Sequence, residues 1–454
     1  MIMPMTGMHK REFPVLILGD IVLLVLSLIL TLTVRFHAFP TLEVFESHLV
    51  PFTYLFVAFL LIAFIAGLYE NHTLFLKGRL PQLLLNVQIA QAIVAIALFY
   101  FIPYFSITPK IVLFLYLLIS LMLLAVWRIF VAPNIGSKKP SRAVMIGEGK
   151  EMHELMDEIN HNPRYGIYIV EMIAPDGNAA SIAQTASKLA DEDPSLVVIL
   201  DMHHGVVENV LPLLYELIFK GVRFVNVTSL YEDIFNREPV SLLGQAWFIE
   251  NISSAPKTVY DFCKRLSDTL IAAMLGIISL ILYPFVIAAI KIQDGGPIFI
   301  YQKRVGQNGG IINIMKFRTM TANDEGKWAN GASTGNAVTS VGKILRKSRI
   351  DELPQLWNVL RGDISLIGPR PELPEPVREY AKAIPYYNVR HIVKPGLSGW
   401  AQIYHEQHPH HGLDIDETRN KLSYDLYYIK NRSAFIDLKI GLRTVKVLLT
   451  FVGR

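Results

Sequence analysis

Two acidic residues, Asp351 and Glu352, stand side by side just before Pro354, in the most cation-rich part of a 454-residue chain. Lys316, Arg318, Arg346, Lys347, Arg349 and Arg370 lie in the motifs around them. Such a set suits a diphosphate, because a guanidinium fork matches two phosphate oxygens at once. Proline is favoured in the first turn of a helix, so a helix is predicted to start near Pro354. A helix N-terminus stabilises a carboxylate and attracts anions. An Asp-Glu pair there is also an ordinary capping feature; the surrounding cations and Gly-Pro turns make it a candidate for chemistry.

The polar motifs follow one another after Ile292. They are Gly296-Pro297-Ile298-Phe299, Gln302-Lys303-Arg304-Val305-Gly306, Lys316-Phe317-Arg318-Thr319-Met320, Leu345 through Gln355, Gly362 through Pro371, and Lys394 through Gln402. None is a P-loop, a Gly-x-Ser-x-Gly elbow or a transition-metal spacing. His405, His408, His410 and His411 read as a solvated loop rather than a metal site. The lone cysteine, Cys263, excludes an intrachain disulfide and a cysteine zinc site. It reads as a small buried or membrane-adjacent residue. A net charge of +4 is too mild to point to nucleic acid.

The elements that must position these residues start with oily ones. Hydrophobic residues make up 52% of the chain and charged residues 18%, and the excess sits in long runs. Four, at about 13–34, 50–69, 81–102 and 110–131, are long enough to cross a bilayer, which takes roughly 20 residues. Lys10, Arg11, Lys77, Arg79, Arg128, Lys138, Lys139 and Arg142 lie on one side of these spans, and only Arg35 and Lys110 on the other. Positive residues favour the cytoplasm, so the N-terminus and everything after the fourth span are expected there. No cleavage site follows the first run, so it is not read as a signal peptide.

Residues 134–141 read as a linker. Strand-like pieces at 142–147, 166–174, 196–201 and 222–227 then alternate with helical stretches, the pattern of a small parallel α/β domain. Gly147-Glu148-Gly149 follows the first strand as a dinucleotide fingerprint would, and Glu171 stands where a ribose-binding acid would. The third glycine position, however, is Met152. A Tyr-xxx-Lys pair at Tyr260 and Lys264 lies outside that domain and reads as chance. A fifth apolar run, Thr269 to Ile290, has Lys264 and Arg265 before it and Lys291, Lys303 and Arg304 after it. Positive flanks on both sides favour re-entry to the same face. Pro284 removes an amide donor and clashes with the carbonyl of Leu280, which allows a kink. An ordinary fifth span with a tolerated proline is the other reading.

From about residue 257 to 454 the chain resembles the bacterial sugar transferase family, the polyprenyl-phosphate hexose-1-phosphate transferases. The motifs Gln302–Gly306, Lys316–Met320, Ser348–Gln355, Gly362–Pro371 and Pro395–Gln402 match in order and spacing, as do Lys421-Leu422-Ser423-Tyr424-Asp425 and Asp437. The N-terminal half resembles the long members, and Tyr231-Glu232-Asp233 through Trp247-Phe248 looks like their connecting segment. The resemblance implies a membrane protein of α + α/β class with three parts. Residues 1–135 would form a four-helix transmembrane bundle and 140–250 a Rossmann-like α/β cytoplasmic domain. Residues 257–454 would form a mostly helical monotopic phosphoglycosyl transferase domain, with a re-entrant helix at about 266–292 kinked at Pro284.

The implied reaction is a ping-pong transfer of a hexose-1-phosphate from a UDP-sugar to undecaprenyl phosphate, with release of UMP. Asp351 would be the nucleophile and, with Mg2+, a metal ligand; Glu352 would assist. Arg346 and Arg370 match family positions that hold phosphate, Lys316 and Arg318 match a second basic motif, and Gln302 and Arg304 belong to the substrate-binding set. The implied place is the bacterial inner membrane, active site on the cytoplasmic face, at the start of exopolysaccharide, O-antigen or capsule assembly. A homodimer is compatible with this; nucleic acid is not an expected partner. One departure stands out: the family's kink carries Ser-Pro, whereas Tyr283-Pro284 stands here, with Ser279 as a possible substitute for the missing hydroxyl. Residues 435–452 read as an interfacial helix or a core-packed amphipathic one. The alternatives are a membrane-bound nucleotide-sugar dehydratase or epimerase, which needs an intact fingerprint, and a non-enzymatic assembly scaffold.

Overall fold

The computed structural model describes residues 6–69, 80–101, 110–132, 140–162, 165–174, 179–193, 195–202, 205–252, 257–321, 337–404 and 414–449. The four clustered histidines, linker residues 134–139, and Lys77, Arg79, Lys138 and Lys139 lie outside these. The chain packs as two compact units, residues 1–234 and 235–454.

In the first unit, Pro14–Phe36, Leu42–Ala66, Leu80–Phe99 and Ile111–Val131 are four helices long and apolar enough to cross a membrane. The second begins earlier than the apolar run suggested, because helical hydrogen bonding continues through Glu43, Glu46 and His48. Leu24, Leu28, Phe52, Phe59 and Tyr116 pack in the bundle core. Asp20 and Arg128 form a fully buried ion pair there. Tyr69 donates to Asp20 (2.8 Å) and Arg128 to the Leu68 carbonyl (2.9 Å), as charges among apolar helices require.

Four strands follow: β1 (Ser141–Ile146), β2 (Ile167–Ile173), β3 (Val197–Leu200) and β4 (Arg223–Asn226). They form one parallel sheet in the order β2-β1-β3-β4. β1 and β3, buried throughout their middles, are runs of Val, Ile, Leu and Met, as central parallel strands should be. The chain departs locally from a dinucleotide fingerprint. The buried Met152 side chain folds over Gly147, its methyl only 1.8 Å from where a Cβ on that glycine would stand. The close backbone approach that a third glycine gives is filled by thioether.

In the second unit, Phe235–Ile252, which the sequence reading had placed largely with the α/β domain, packs C-terminally. Val240, Leu243 and Trp247 share a core with Val377, Tyr387, Leu422 and Leu426. Helices α1 (Thr258–Ser279) and α2 (Tyr283–Asp294) are bent by 57° at a short break. Pro284 falls in the first turn of α2 rather than inside one helix. The Leu280 carbonyl is therefore not left free: the Tyr283 amide takes it (3.3 Å). The Ser279 hydroxyl donates to the Gly276 carbonyl (2.7 Å), one turn before the position that the missing family serine brought into question. Tyr283 itself packs edge-on to Phe317, with centroids 4.9 Å apart. Cys263 is exposed on α1.

Next come an antiparallel hairpin of β5 (Phe299–Val305) and β6 (Ile311–Phe317), then α3 (Ser340–Lys347) and α4 (Gln355–Arg361). A parallel pair, β7 (Ser365–Ile367) and β8 (Gly396–Ser398), joins the Gly-Pro-Arg-Pro and Pro-Gly-Leu-Ser-Gly motifs. Their glycines let the two backbones touch. A Cβ on Gly396 would lie 2.0 Å from the Gly368 nitrogen. Gly396→Ala is therefore expected to lower the thermal unfolding midpoint, by overpacking worth about 1–3 kcal/mol. Gly441→Ala, where a Cβ meets nothing within 4 Å, is expected to hold or raise it. Equal midpoints for the two variants would contradict the interlock.

Candidate active site

The site is built where a hairpin face meets a tight turn. Alternation along β5 and β6, with Gln302 opposite Ile314 and Ile300 opposite Lys316, puts Gln302, Arg304 and Lys316 on one face. After α3, Arg349 adopts a left-handed conformation (φ 58°), strained for a residue with a side chain. The chain then makes a single 3-10 turn at Ile350–Glu352 before α4 starts at Gln355, with Pro354 immediately before it. This turn carries Asp351 and Glu352. Asn358, buried in α4, pins that helix to the hairpin: it accepts from the Met315 amide (2.9 Å) and donates to the Asn313 carbonyl (2.8 Å) and to Asp363 (3.0 Å).

Glu352 is surrounded by cations. Arg370 lies 2.9 Å and Lys316 3.3 Å from its Oε1, and Arg349 3.6 Å from its Oε2. Burial opposes its ionisation, but Arg370, Lys316 and Arg349 outweigh it and hold the carboxyl well below the ordinary glutamate range. Asp351 is shifted the other way, raised by burial and then by the charge of Glu352, with Lys316, Arg346 and Arg349 opposing. Burial pulls the Lys316 ammonium down, against the attraction of Glu352. The two carboxyls thus differ in character. Glu352 is a fixed anion, and Asp351 is a more basic carboxylate whose Oδ1 is buried without a hydrogen-bond partner.

The other expected site residues divide. Arg346 donates to the Thr319 hydroxyl (2.9 Å) while contributing to the field on Asp351. Arg304 donates to Gln302 (2.9 Å) and adds to the positive field on Lys316. Arg318, expected among the substrate cations, does not join them. It is 6% exposed, paired with Asp294, and donates to the carbonyls of Pro297 (2.9 Å) and Met320 (3.4 Å). A Cβ on Gly296 would lie 2.6 Å from its guanidinium carbon. The Gly-Pro motif thus exists in part to let Arg318 lie across it, tying the end of α2 to β6. Pro284 lies at the helix break, in the first turn of α2.

Residues that sequence reasoning passed over hold the site in place. Arg390 binds Glu372 (2.8 Å) and Asp425 (2.7 Å) and donates to the Arg370 carbonyl (3.1 Å), fixing the backbone from which Arg370 reaches Glu352. Glu372 directly follows the last motif proline and Asp425 stood in the tail motif, so these acids were visible signals; Arg390 had none. Asn358, a polar residue amid Leu356, Val359 and Leu360, was a signal too. Tyr260 and Lys264 are not idle either. Both reach Asp437 at 2.8 Å, joining α1 to the helix Ala434–Leu449. That helix exposes Phe435 and Leu438 and buries Ile436 and Ile440, so it has both an outward and a core-packed face.

Residues 259–451 match the family model described as bacterial sugar transferase. A UDP-glucose:undecaprenyl-phosphate glucose-1-phosphate transferase of Caulobacter vibrioides is 40% identical over 43% of this chain and 73% of its own length. The chain belongs to the bacterial sugar transferase family. An Aeromonas hydrophila UDP-N-acetylgalactosamine-undecaprenyl-phosphate N-acetylgalactosaminephosphotransferase is 45% identical over 44% of this chain, a match that spans 47% of that relative. A Xanthomonas campestris UDP-glucose:undecaprenyl-phosphate glucose-1-phosphate transferase is 30% identical over 68% of this chain and 66% of its own length. Nothing in these matches supports a dehydratase or epimerase.

The electrostatics carry a direction. Asp351 must be ionised to act as a base or nucleophile, so activity is expected to fall on the acid side above the ordinary aspartate range. Glu352→Gln removes the anion that raises the Asp351 pKa and frees cations that lower it. The acid limb of kcat/KM, which reports the free enzyme, should move to lower pH in that variant, whatever the loss in rate. An unmoved limb, or one shifted upward, would contradict the assignment.

Proposed function

We propose that this protein transfers a sugar-1-phosphate from a UDP-sugar to a polyprenyl phosphate such as undecaprenyl phosphate. The observation that carries the reading is the division of labour between the adjacent carboxyls. Glu352 is neutralised by Lys316, Arg349 and Arg370, leaving Asp351 with a basic, unpartnered oxygen beside a cationic surface. The printed activities of the relatives agree with it.

In this reading the Asp351 carboxylate attacks the sugar-bearing phosphorus. A bond from its oxygen to phosphorus forms, the bond from that phosphorus to the bridging oxygen breaks, and UMP leaves with the electron pair. A phosphate oxygen of the lipid then attacks the same phosphorus and Asp351 departs as carboxylate. The product is a lipid diphosphate-sugar. Splitting one displacement into two is what covalent catalysis achieves. Lys316, Arg349 and Arg370 face the developing charge, and electrostatic positioning of this kind accounts for most of phosphoryl-transfer catalysis. Arg346 and Arg304 extend the cationic surface.

The residues present fit magnesium, which is usually held by one or two carboxylates together with substrate phosphates. Among the described residues no three acidic, histidine or cysteine side chains gather as a metal site, so Asp351 would hold the ion with the diphosphate. When bound it would neutralise phosphate charge.

The apolar run of the broken helix pair is read as re-entrant. Its 57° bend and its positive flanks support a return of the chain to one face. With four spans before it, the site then lies at the cytoplasmic face of a bacterial inner membrane, where UDP-sugars are made. The parallel α/β sheet is read as a Rossmann-like domain without a dinucleotide, and the product as the first lipid-linked unit of an exopolysaccharide, O-antigen or capsule.

Purified protein in lipid nanodiscs is expected to release UMP from its preferred UDP-sugar before any acceptor is added, in an amount limited to one equivalent. Release that strictly requires polyprenyl phosphate would contradict the two-step reading.

A further inference from the structure

A cleft outside the catalytic turn has a composition that the transfer reaction does not use. Met315, Trp357, Leu360 and Arg361 line a shallow depression that is wide open to its surroundings. Three of these come from α4, on the face turned away from the buried Leu356, Asn358 and Val359. Its level relative to the oily part of α1 is fixed by two contacts. Arg265, the last cation before the apolar run, donates to the carbonyls of Val359 (2.7 Å) and Leu360 (2.9 Å). Ala272, one turn into that run, packs with Leu356 and Val359. The cleft therefore lies beside the point where α1 turns from polar to apolar. From there Leu266, Leu270, Met274 and Ile277 form an exposed stripe on α1, an apolar surface continuous with a lipid phase.

Cations outnumber acids at this level, where Asp363 and the buried Asp268 are already engaged by Asn358 (3.0 Å) and Ser365 (2.6 Å). Arg361 and Lys394 are exposed. A Cβ on the intervening Gly362 would lie 3.3 Å from the Arg265 guanidinium and 3.7 Å from the Lys394 ammonium, so the cations converge at the end of α4. A tryptophan and an aliphatic floor under a rim of cations is the composition that seats an amphiphile at a membrane surface.

We propose that this cleft binds an anionic phospholipid, its phosphate on Arg361 with Lys394 nearby and the start of its acyl chain against Trp357, Leu360 and Met315. The occupant is not the reacting lipid. Arg361 closes the end of α4 opposite Asp351, roughly 10 Å away along a seven-residue helix, too far for a phosphate held there to be attacked or to attack. The proposal rests on the reading that the apolar part of α1 sits in a bilayer. It adds that the membrane's own charge sets the height at which the catalytic turn meets it.

The test uses the full chain in nanodiscs of phosphatidylcholine and phosphatidylglycerol. One or the other lipid is brominated on its acyl chain close to the headgroup. The emission of wild type minus that of Trp357→Phe isolates Trp357. Brominated phosphatidylglycerol is expected to quench it about fivefold more effectively than the same fraction of brominated phosphatidylcholine, the selectivity that one interfacial cation confers. Arg361→Ala, an exposed change that leaves the fold intact, should level the two. Insensitivity to both lipids, or equal quenching by both in wild type, overturns the proposal. So does quenching abolished by a small fraction of unlabelled polyprenyl phosphate, which would make the cleft the acceptor's, or by UDP-sugar, which would make it the donor's. UMP release recorded in the same discs separates failure of this proposal from failure of the transferase reading.

Discussion

The site depends on one buried anion being fully compensated. Two adjacent carboxyls removed from water cannot both ionise freely, because each raises the other's pKa. Here Lys316, Arg349 and Arg370 assign the charge to Glu352. Its neighbour is left as a carboxylate with a buried, unpartnered oxygen. Breaking such a compensated set strands a charge and costs about 3–5 kcal/mol. The same pairing that stabilises the turn therefore also sets the chemistry of Asp351.

Much of the surrounding architecture exists to keep those partners in register. Asn358 fixes α4, and hence the turn before it, against the hairpin strand that carries Lys316. Arg390, through Glu372, Asp425 and the Arg370 carbonyl, fixes the strap that carries Arg370. That strap is pressed against β8 by glycines that admit no side chain. Burial lowers the His391 pKa to about 4, with Arg390 adding to the shift, so this support carries its charge on Arg390 and not on its neighbour. The left-handed Arg349 marks where the chain is bent to bring a third cation to the same carboxyl.

Much of this was legible in the residues. Apolar runs of sufficient length give four helices whatever packs around them, and β-branched alternation gave the four strands to within a residue or two. The acidic pair, Lys316 and Arg370 stood out because like charges in one short motif need a common counter-ion. What stayed hidden depended on tertiary partners. Arg318 has the composition of a phosphate ligand, but Asp294 and two carbonyls claim it. Tyr260 and Lys264 matched a spacing from another chemistry, and only folding brings Asp437 to them. Arg390 stood in no motif. The end of the α/β region was misplaced because Trp247 and its neighbours are apolar in either setting, and only the packed core decides which they join.

The central claim is that Asp351 itself carries the sugar phosphate between donor and lipid. Intact mass measurement of the protein after brief exposure to UDP-sugar, with no lipid acceptor, tests it most directly. A mass increase of one hexosyl phosphate, mapped by peptide fragmentation to Asp351 and absent from Asp351→Asn, is the expected result. Unmodified protein under conditions where UMP has been released, or an adduct on any other side chain, would contradict the account.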